Sequence, residues 1–252
     1  WNCRHINNRA LERRIERAVA IDPHCTEALA GLAALAHDAG NFSVSARLLT
    51  RVLELQPDNV NALVNMGLIR LESGDAALAV EAFHRALKAN PREKRAQAHL
   101  AIALQHCGRT SEAKAILDLE RLVSVRDLDA FEGWPSVAAF NEALVRRVLD
   151  DPTLMRARKT VATINGDQSL EILVGDDLVT RALRTAIEIE VRRYIKEVLS
   201  TSGNVHADQA TAKWRLTGWA VVLRSGGFQN SHIHPDGFTS GVYYARIPAC
   251  VQ

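Results

Sequence analysis

Apolar residues recur at helical spacing through the first half of the chain and give way near its end to runs rich in β-branched and aromatic residues. In NALVNMGLIRLESG, Leu63, Met66, Ile69 and Leu71 follow a period of three to four residues until Gly74 stops it. DAALAVEAFHRALKANP then starts at Asp75, a candidate N-cap, and repeats Leu78, Ala82, Phe83, Ala86 and Leu87 before Pro91 forbids continuation. Two helices joined at a glycine form a hairpin, and the small residues Gly67 and Ala79 let them approach closely.

The unit recurs. Pro23, Pro57 and Pro91 are 34 residues apart, and so are Gly40, Gly74 and Gly108. Other columns share the period: Leu32, Met66 and Leu100; Leu49, Phe83 and Leu117; Ala33, Gly67 and Ala101; Ser45, Ala79 and Ala113. A hairpin with one apolar face cannot bury it alone, so stacked neighbours must. These interlocking ladders resemble the tetratricopeptide repeat from about residue 9 to 120, with ALERRIERAVAIDP (Ala10 to Pro23) as the second helix of an earlier unit. The aromatic often found early in the first helix of such a unit is replaced by Leu29, Leu63 and Gln97. The resemblance implies a protein or peptide partner on the concave face. His84, His99 and His106 read as ordinary helix-surface or helix-interface histidines.

The period stops near Glu120. SVRDLDAFEGWPSV reads as a linker or domain entry. PSVAAFNEALVRRVLDDP is a helix with Phe140, Leu144 and Val148 on one face. TVATINGDQSLEIL carries an Asn-Gly turn. A long amphipathic helix follows, with Leu183, Ile187, Val191, Ile195 and Val198 as its stripe and Asp176 or Asp177 at its N-terminus. TSGNVHADQA reads as loop. From Lys213 the pattern is β: WRLTGWAVVLRSGG ends on Ser-Gly-Gly, FQNSHIH is extended, Pro-Asp-Gly turns, and FTSGVYYARIP is a further strand. Helices come first, then the opening strands of a sheet.

Composition narrows the function classes. Of 252 residues, 47% are hydrophobic and 24% charged, enough for a buried core. The formal charge of +2 is spread along the chain, with no concentrated basic face for nucleic acid. No apolar run approaches a membrane span. Cys3, Cys25, Cys107 and Cys250 form no CxxC pair and read as reduced thiols of a cytoplasmic protein.

The remaining chemistry lies in His232-Ile233-His234. On a strand, residues two apart share a face, so both imidazoles would project together with Ile233 behind them. That suits two ligands of one metal, yet such pairs are also frequent as surface or structural histidines. The surrounding WAVVLRSGGFQNSHIHPDGFTSGVYY resembles a bacterial family of 2-oxoglutarate–Fe(II) dioxygenases, and the likeness extends back to about residue 131. The resemblance implies a double-stranded β-helix (jelly-roll) that binds Fe(II) and 2-oxoglutarate. His232 would be the first iron ligand, His234 would hold the second position, and Asp236 is the alternative carboxylate. Gln229, Tyr243 and Tyr244 would line the co-substrate pocket; Tyr243 and Tyr244 alternate faces, so at least one of them belongs to the core.

The expected fold class is therefore α+β. An all-α tetratricopeptide solenoid occupies residues 1–122, and helices leading into an incomplete jelly-roll occupy 123–252. No histidine follows His234, and Arg246 on the same hairpin is the one arginine after it. Together with Trp1 at the start, this leads us to expect a fragment cut at both ends and inactive alone. The expected function is an Fe(II)/2-oxoglutarate-dependent hydroxylase with a protein-interaction module; a non-catalytic scaffold with a cupin-like domain, or an inactive fragment, is the alternative.

Overall fold

The computed structural model describes Arg13 and residues 17–157, 162–201, 213–234 and 236–248. They fall into two compact units, one ending at Glu120 and one beginning at Arg121.

The first unit is built of three helical hairpins. Helices α1 (Thr26–Asp38) and α2 (Phe42–Leu55) form the first, α3 (Val60–Glu72) and α4 (Ala76–Ala89) the second, α5 (Lys94–His106) and α6 (Thr110–Ile116) the third. Residues 17–21 are helical as well; the rest of the helix predicted over Ala10–Pro23, Arg13 apart, lies outside the described residues.

The glycine ladder closes each hairpin in the same way. Gly40, Gly74 and Gly108 have φ of +74°, +83° and +72°, the left-handed region that glycine enters without penalty. The following amides of Asn41, Asp75 and Arg109 each donate to a carbonyl five residues back, on Ala36, Arg70 and Leu104, all at 2.8 Å. This is the six-to-one closure that caps a helix C-terminus. Asp75 stands at the N-cap of α4 as predicted, but its side chain does not cap the helix; it faces Arg70 at 3.6 Å.

The small-residue columns sit at the helix contacts. Ala33, Gly67 and Ala101 are buried, as are Ser45, Ala79 and Ala113. A β-carbon placed on Gly67 would lie 2.5 Å from Cε1 of Phe83, a ring with 0% exposure. One predicted column breaks: Leu49 and Phe83 are fully buried, whereas Leu117 is 39% exposed. Helix α6 has 7 residues against 14 in α2 and α4, so Leu117 falls beyond its end, where no further turn carries it into the core.

A four-residue helix, α7 (Leu119–Leu122), comes next in the chain. In the second unit, α8 (Val137–Leu149) is capped by Ser136, whose hydroxyl accepts from the amide of Ala139 at 3.1 Å. Helix α9 (Leu178–Glu197) is capped by Asp177, which accepts from the Thr180 amide and hydroxyl at 2.9 and 2.7 Å. Their apolar faces meet around Phe140, Leu144, Ala182 and Leu183. Phe131 stacks on Phe140 at 3.6 Å between ring centres, so the stretch predicted as linker contributes a core aromatic.

The strands depart from the predicted order. β1 (Met155–Arg156) and β2 (Thr163–Gln168) precede α9, and β3 (Val221–Gln229) follows it. They form one antiparallel sheet in the order β1-β2-β3. Asn165-Gly166 is not a hairpin turn but lies inside β2, with Asn165 at φ +49°. Opposite it, β3 does not end at Ser225-Gly226-Gly227. Pairing jumps from Ile164↔Phe228 to Gly166↔Leu223, so Arg224–Gly227 bulge against Asn165. The side-chain amide of Asn165 donates to the Ser225 carbonyl at 2.7 Å and ties the bulge down. Residues 241–244 keep the predicted alternation, with Val242 and Tyr244 exposed and Tyr243 packed inward, but they join no ladder among the described residues. Of the loop predicted over Thr201–Ala210, Thr201 ends a 3-10 turn and the rest lies outside the described residues, as do 211–212 and Pro235.

Two measurements test the packing of the repeats. Gly67→Ala should destabilise the chain by about 1–2 kcal/mol in urea unfolding. Overpacking of about 1–3 kcal/mol outweighs the gain of up to about 1 kcal/mol in helix propensity, and adding Phe83→Leu should restore most of the loss. His99 stacks on Phe83 at 6.0 Å, and burial, then Arg95, pushes its pKa down to about 4. The unfolded chain therefore takes up that proton first. Stability should be complete above about pH 6.5 and fall as the pH drops towards 4, and His99→Gln should flatten that slope.

Candidate functional site

The two histidines follow directly from the end of β3. The Asn230 amide donates to the Ala162 carbonyl at 2.8 Å, the last backbone tie before the chain leaves the sheet. His232 then folds back on its own backbone. Its Nδ1 lies 2.7 Å from the Asn230 carbonyl oxygen. A carbonyl can only accept, so Nδ1 carries the proton, and in the neutral ring Nε2 presents a lone pair. Nε2 of His234 stands 3.1 Å from that lone pair, and the rings meet edge to face at 4.8 Å. In the neutral pair His234 therefore donates from Nε2.

The pair converges for a reason other than the one predicted. Residues 230–234 lie outside any strand, so pleating does not aim the two rings. The Asn230 carbonyl orients His232, and the indole of Trp219, 5.5 Å away, flanks the ring of His234. Burial, and then the neighbouring His232, holds the pKa of His234 below its ordinary value. A neutral imidazole is the state that binds a metal.

The arrangement fits two ligand positions. Two nitrogens each about 2.0–2.1 Å from one transition-metal ion stand about 2.9–3.4 Å apart at tetrahedral to octahedral angles. The observed separation is 3.1 Å. The Nδ1–H of His232 on a backbone carbonyl is the outer contact that metal-ligating histidines commonly make. No group of three or more His, Cys, Asp or Glu side chains gathers round one point among the described residues. Asp236 is exposed in its turn and does not complete such a group with the histidines.

The other predicted residues lie elsewhere. Gln229 is the last residue of β3; its side-chain amide donates to the Thr163 hydroxyl at 3.3 Å, which ties it to the sheet. The ring of Tyr243 packs on Phe131 and Phe140, and its hydroxyl donates to the Asn141 side-chain oxygen at 2.5 Å. Its place is thus in the aromatic core, against α8. Trp219 and Asn230 received no role from the sequence. The position of Asn230, two residues before the first histidine, was the available signal, since the geometry needs only its backbone carbonyl.

Family models match both the repeat region and the end of the chain. Tetratricopeptide repeat models match residues 35–78 and 70–119. The model of a family described as "Putative 2OG-Fe(II) oxygenase" matches residues 217–252. Among solved structures, the crystal structure of MamA protein is 22% identical, with 42% of this chain and 59% of that chain covered and a TM-score of 0.39. A MamA structure from AMB-1 is 23% identical, covering 45% and 69% at a TM-score of 0.40. PilF of Pseudomonas aeruginosa is 19% identical, covering 46% and 53% at 0.40. The chain thus spans about three fifths of the first of these structures. No curated protein matches it.

The histidine pair makes a titration prediction. In long-range nitrogen–proton spectra His234 should titrate below the usual value of about 6.5. Trp219→Ala should move the midpoint upward, because burial is the larger cause of the shift. A midpoint unmoved by the loss of the indole would show that Trp219 does not shelter the ring.

Proposed function

We propose that the chain joins a tetratricopeptide protein-interaction module, residues 1–122, to part of an Fe(II)/2-oxoglutarate-dependent oxygenase domain of jelly-roll type, residues 123–252. The observation that carries this reading is the pair of imidazole nitrogens 3.1 Å apart, one of them the acceptor nitrogen of the neutral tautomer that the Asn230 carbonyl selects. The family match over residues 217–252 supports it. His232 and His234 are the residues that would hold iron. When bound, the metal and its co-substrate supply oxidative hydroxylation.

The chain's own part is to manage protons and water. The Asn230 carbonyl keeps the His232 proton on Nδ1. His234 accepts a metal once its proton passes from Nε2 to Nδ1, and its depressed pKa means that no second proton has to leave at neutral pH. Trp219 shields one side of the ring. Gln229 and Tyr243 are proposed to border the co-substrate, Gln229 from the sheet and Tyr243 through the position it gives the segment after the histidines. A polypeptide on the concave face of the repeats is the proposed partner. The free thiols of Cys25 and Cys107 suit a reducing cytoplasm. No helix among the described residues is long and apolar enough to cross a membrane.

Cobalt(II) titration of the whole chain, followed by its visible absorption, tests the metal reading. His232→Ala and His234→Ala should each weaken binding by about tenfold or more, and affinity should fall as the pH drops below about 6.5. Equal affinity in the parent and both variants would reduce the protein to a binding scaffold.

A further inference from the structure

A groove of about 380 Å³ opens between α9 and residues 213–216, lined by Glu188, Arg192, Lys213, Trp214, Arg215 and Leu216. None of these is a predicted site residue, and the two histidines are not among them. The groove is within the range of small-ligand sites.

Its charge is lopsided. Three cations face one carboxylate, which leaves a net charge of +2. Other arginines of the same unit are committed to carboxylates: Arg184 to Asp176, Arg193 to Glu190, Arg224 to Asp167. Arg192, Lys213 and Arg215 form no ion pair among the described residues. Clustered like charges that outnumber their counter-charges repel one another, and an anion would relieve that repulsion.

The groove is also partly pre-organised. The Arg192 guanidinium lies 5.2 Å from the centre of the Trp214 indole, and the indole in turn meets Phe238 edge-on at 6.5 Å. Such a cation–π contact restrains a guanidinium while leaving N–H groups available to paired oxygens. Lys213 and Arg215 are both exposed, flank Trp214 in the chain and both line the groove. Leu216 packs into the core and gives the groove an apolar wall.

We propose that this groove binds a small, doubly charged oxyanion, the group shared by phosphate monoesters and dicarboxylates. Arg192 is the two-pronged contact, Lys213 and Arg215 flank it, and Glu188 accepts from a hydroxyl or amine on the ligand. Trp214 and Leu216 meet its apolar part. The inference goes beyond the metal reading and stands without it.

Calorimetric titration of the whole chain at low ionic strength, with inorganic phosphate and separately with succinate, tests it. Saturable binding of at least one anion is expected. Arg192→Gln and Arg215→Gln should each weaken it at least tenfold, and Arg192→Lys several-fold, since the charge stays but the fork is lost. Arg51→Gln, on an exposed arginine of α2 paired with Glu54, and His232→Ala should leave it unchanged. Binding of phosphate alone would assign a phosphate monoester, and of succinate alone a dicarboxylate. Absence of saturable binding for both, or equal weakening by Arg51→Gln and Arg192→Gln, would overturn the proposal.

Discussion

The ring of Phe83 occupies the space that a side chain on Gly67 would need, and the spacing of α3 and α4 depends on that contact. Close approach brings the walls of the hairpin together around a ring with no exposure. Burial of such a side chain contributes about 1.5–3 kcal/mol, and only if the surrounding atoms pack without voids. Ala33 and Ala101 hold the place of Gly67 in the neighbouring hairpins; Leu49 fills the place of Phe83 in the first, while Leu117 leaves the core in the third, and the left-handed glycines set the angle at which each second helix returns. His99 lies against the same ring, so a half-buried titratable group borders the array's core.

In the second unit the aromatic cluster around Phe140 plays the equivalent part. It gathers Phe131 from before α8 and Tyr243 from after the histidines. The segment carrying His232 and His234 is consequently held at both ends. Asn230 is tied to the edge of β2 by its backbone, and Tyr243 is tied to α8 by its hydroxyl. The histidines need no strand of their own under those conditions, since short contacts to Asn230 and Trp219 set their rings.

The repeats are legible in the sequence because each determinant is local and recurs. Gly40, Gly74 and Gly108 stand where the chain must turn left-handed, and a 34-residue period exposes them at once. The sheet is far less legible. Asn165-Gly166 has the composition of a tight turn, yet the partner strand across from it decides that Asn165 enters the left-handed region in mid-strand. Ser225-Gly226-Gly227 has the composition of a strand end but forms a bulge for the same reason. Tyr243 and Tyr244 show the correct alternation without showing whether a neighbouring strand is there to pair with. The histidine pair is visible because both members fall within three residues, whereas Arg192 and Trp214 are brought together only by the fold.

The bulge in β3 has a bearing on association between copies. β3 is an outer strand of the described sheet, and an outer strand normally offers a continuous row of amides and carbonyls to any extended chain. Here Arg224–Gly227 interrupts that row midway. The arginine within it is drawn across to Asp167, leaving charge rather than a flat apolar surface beside the break. An incoming strand would find two short docking stretches out of phase with each other, and the sheet is thereby hindered from growing edge to edge into an aggregate.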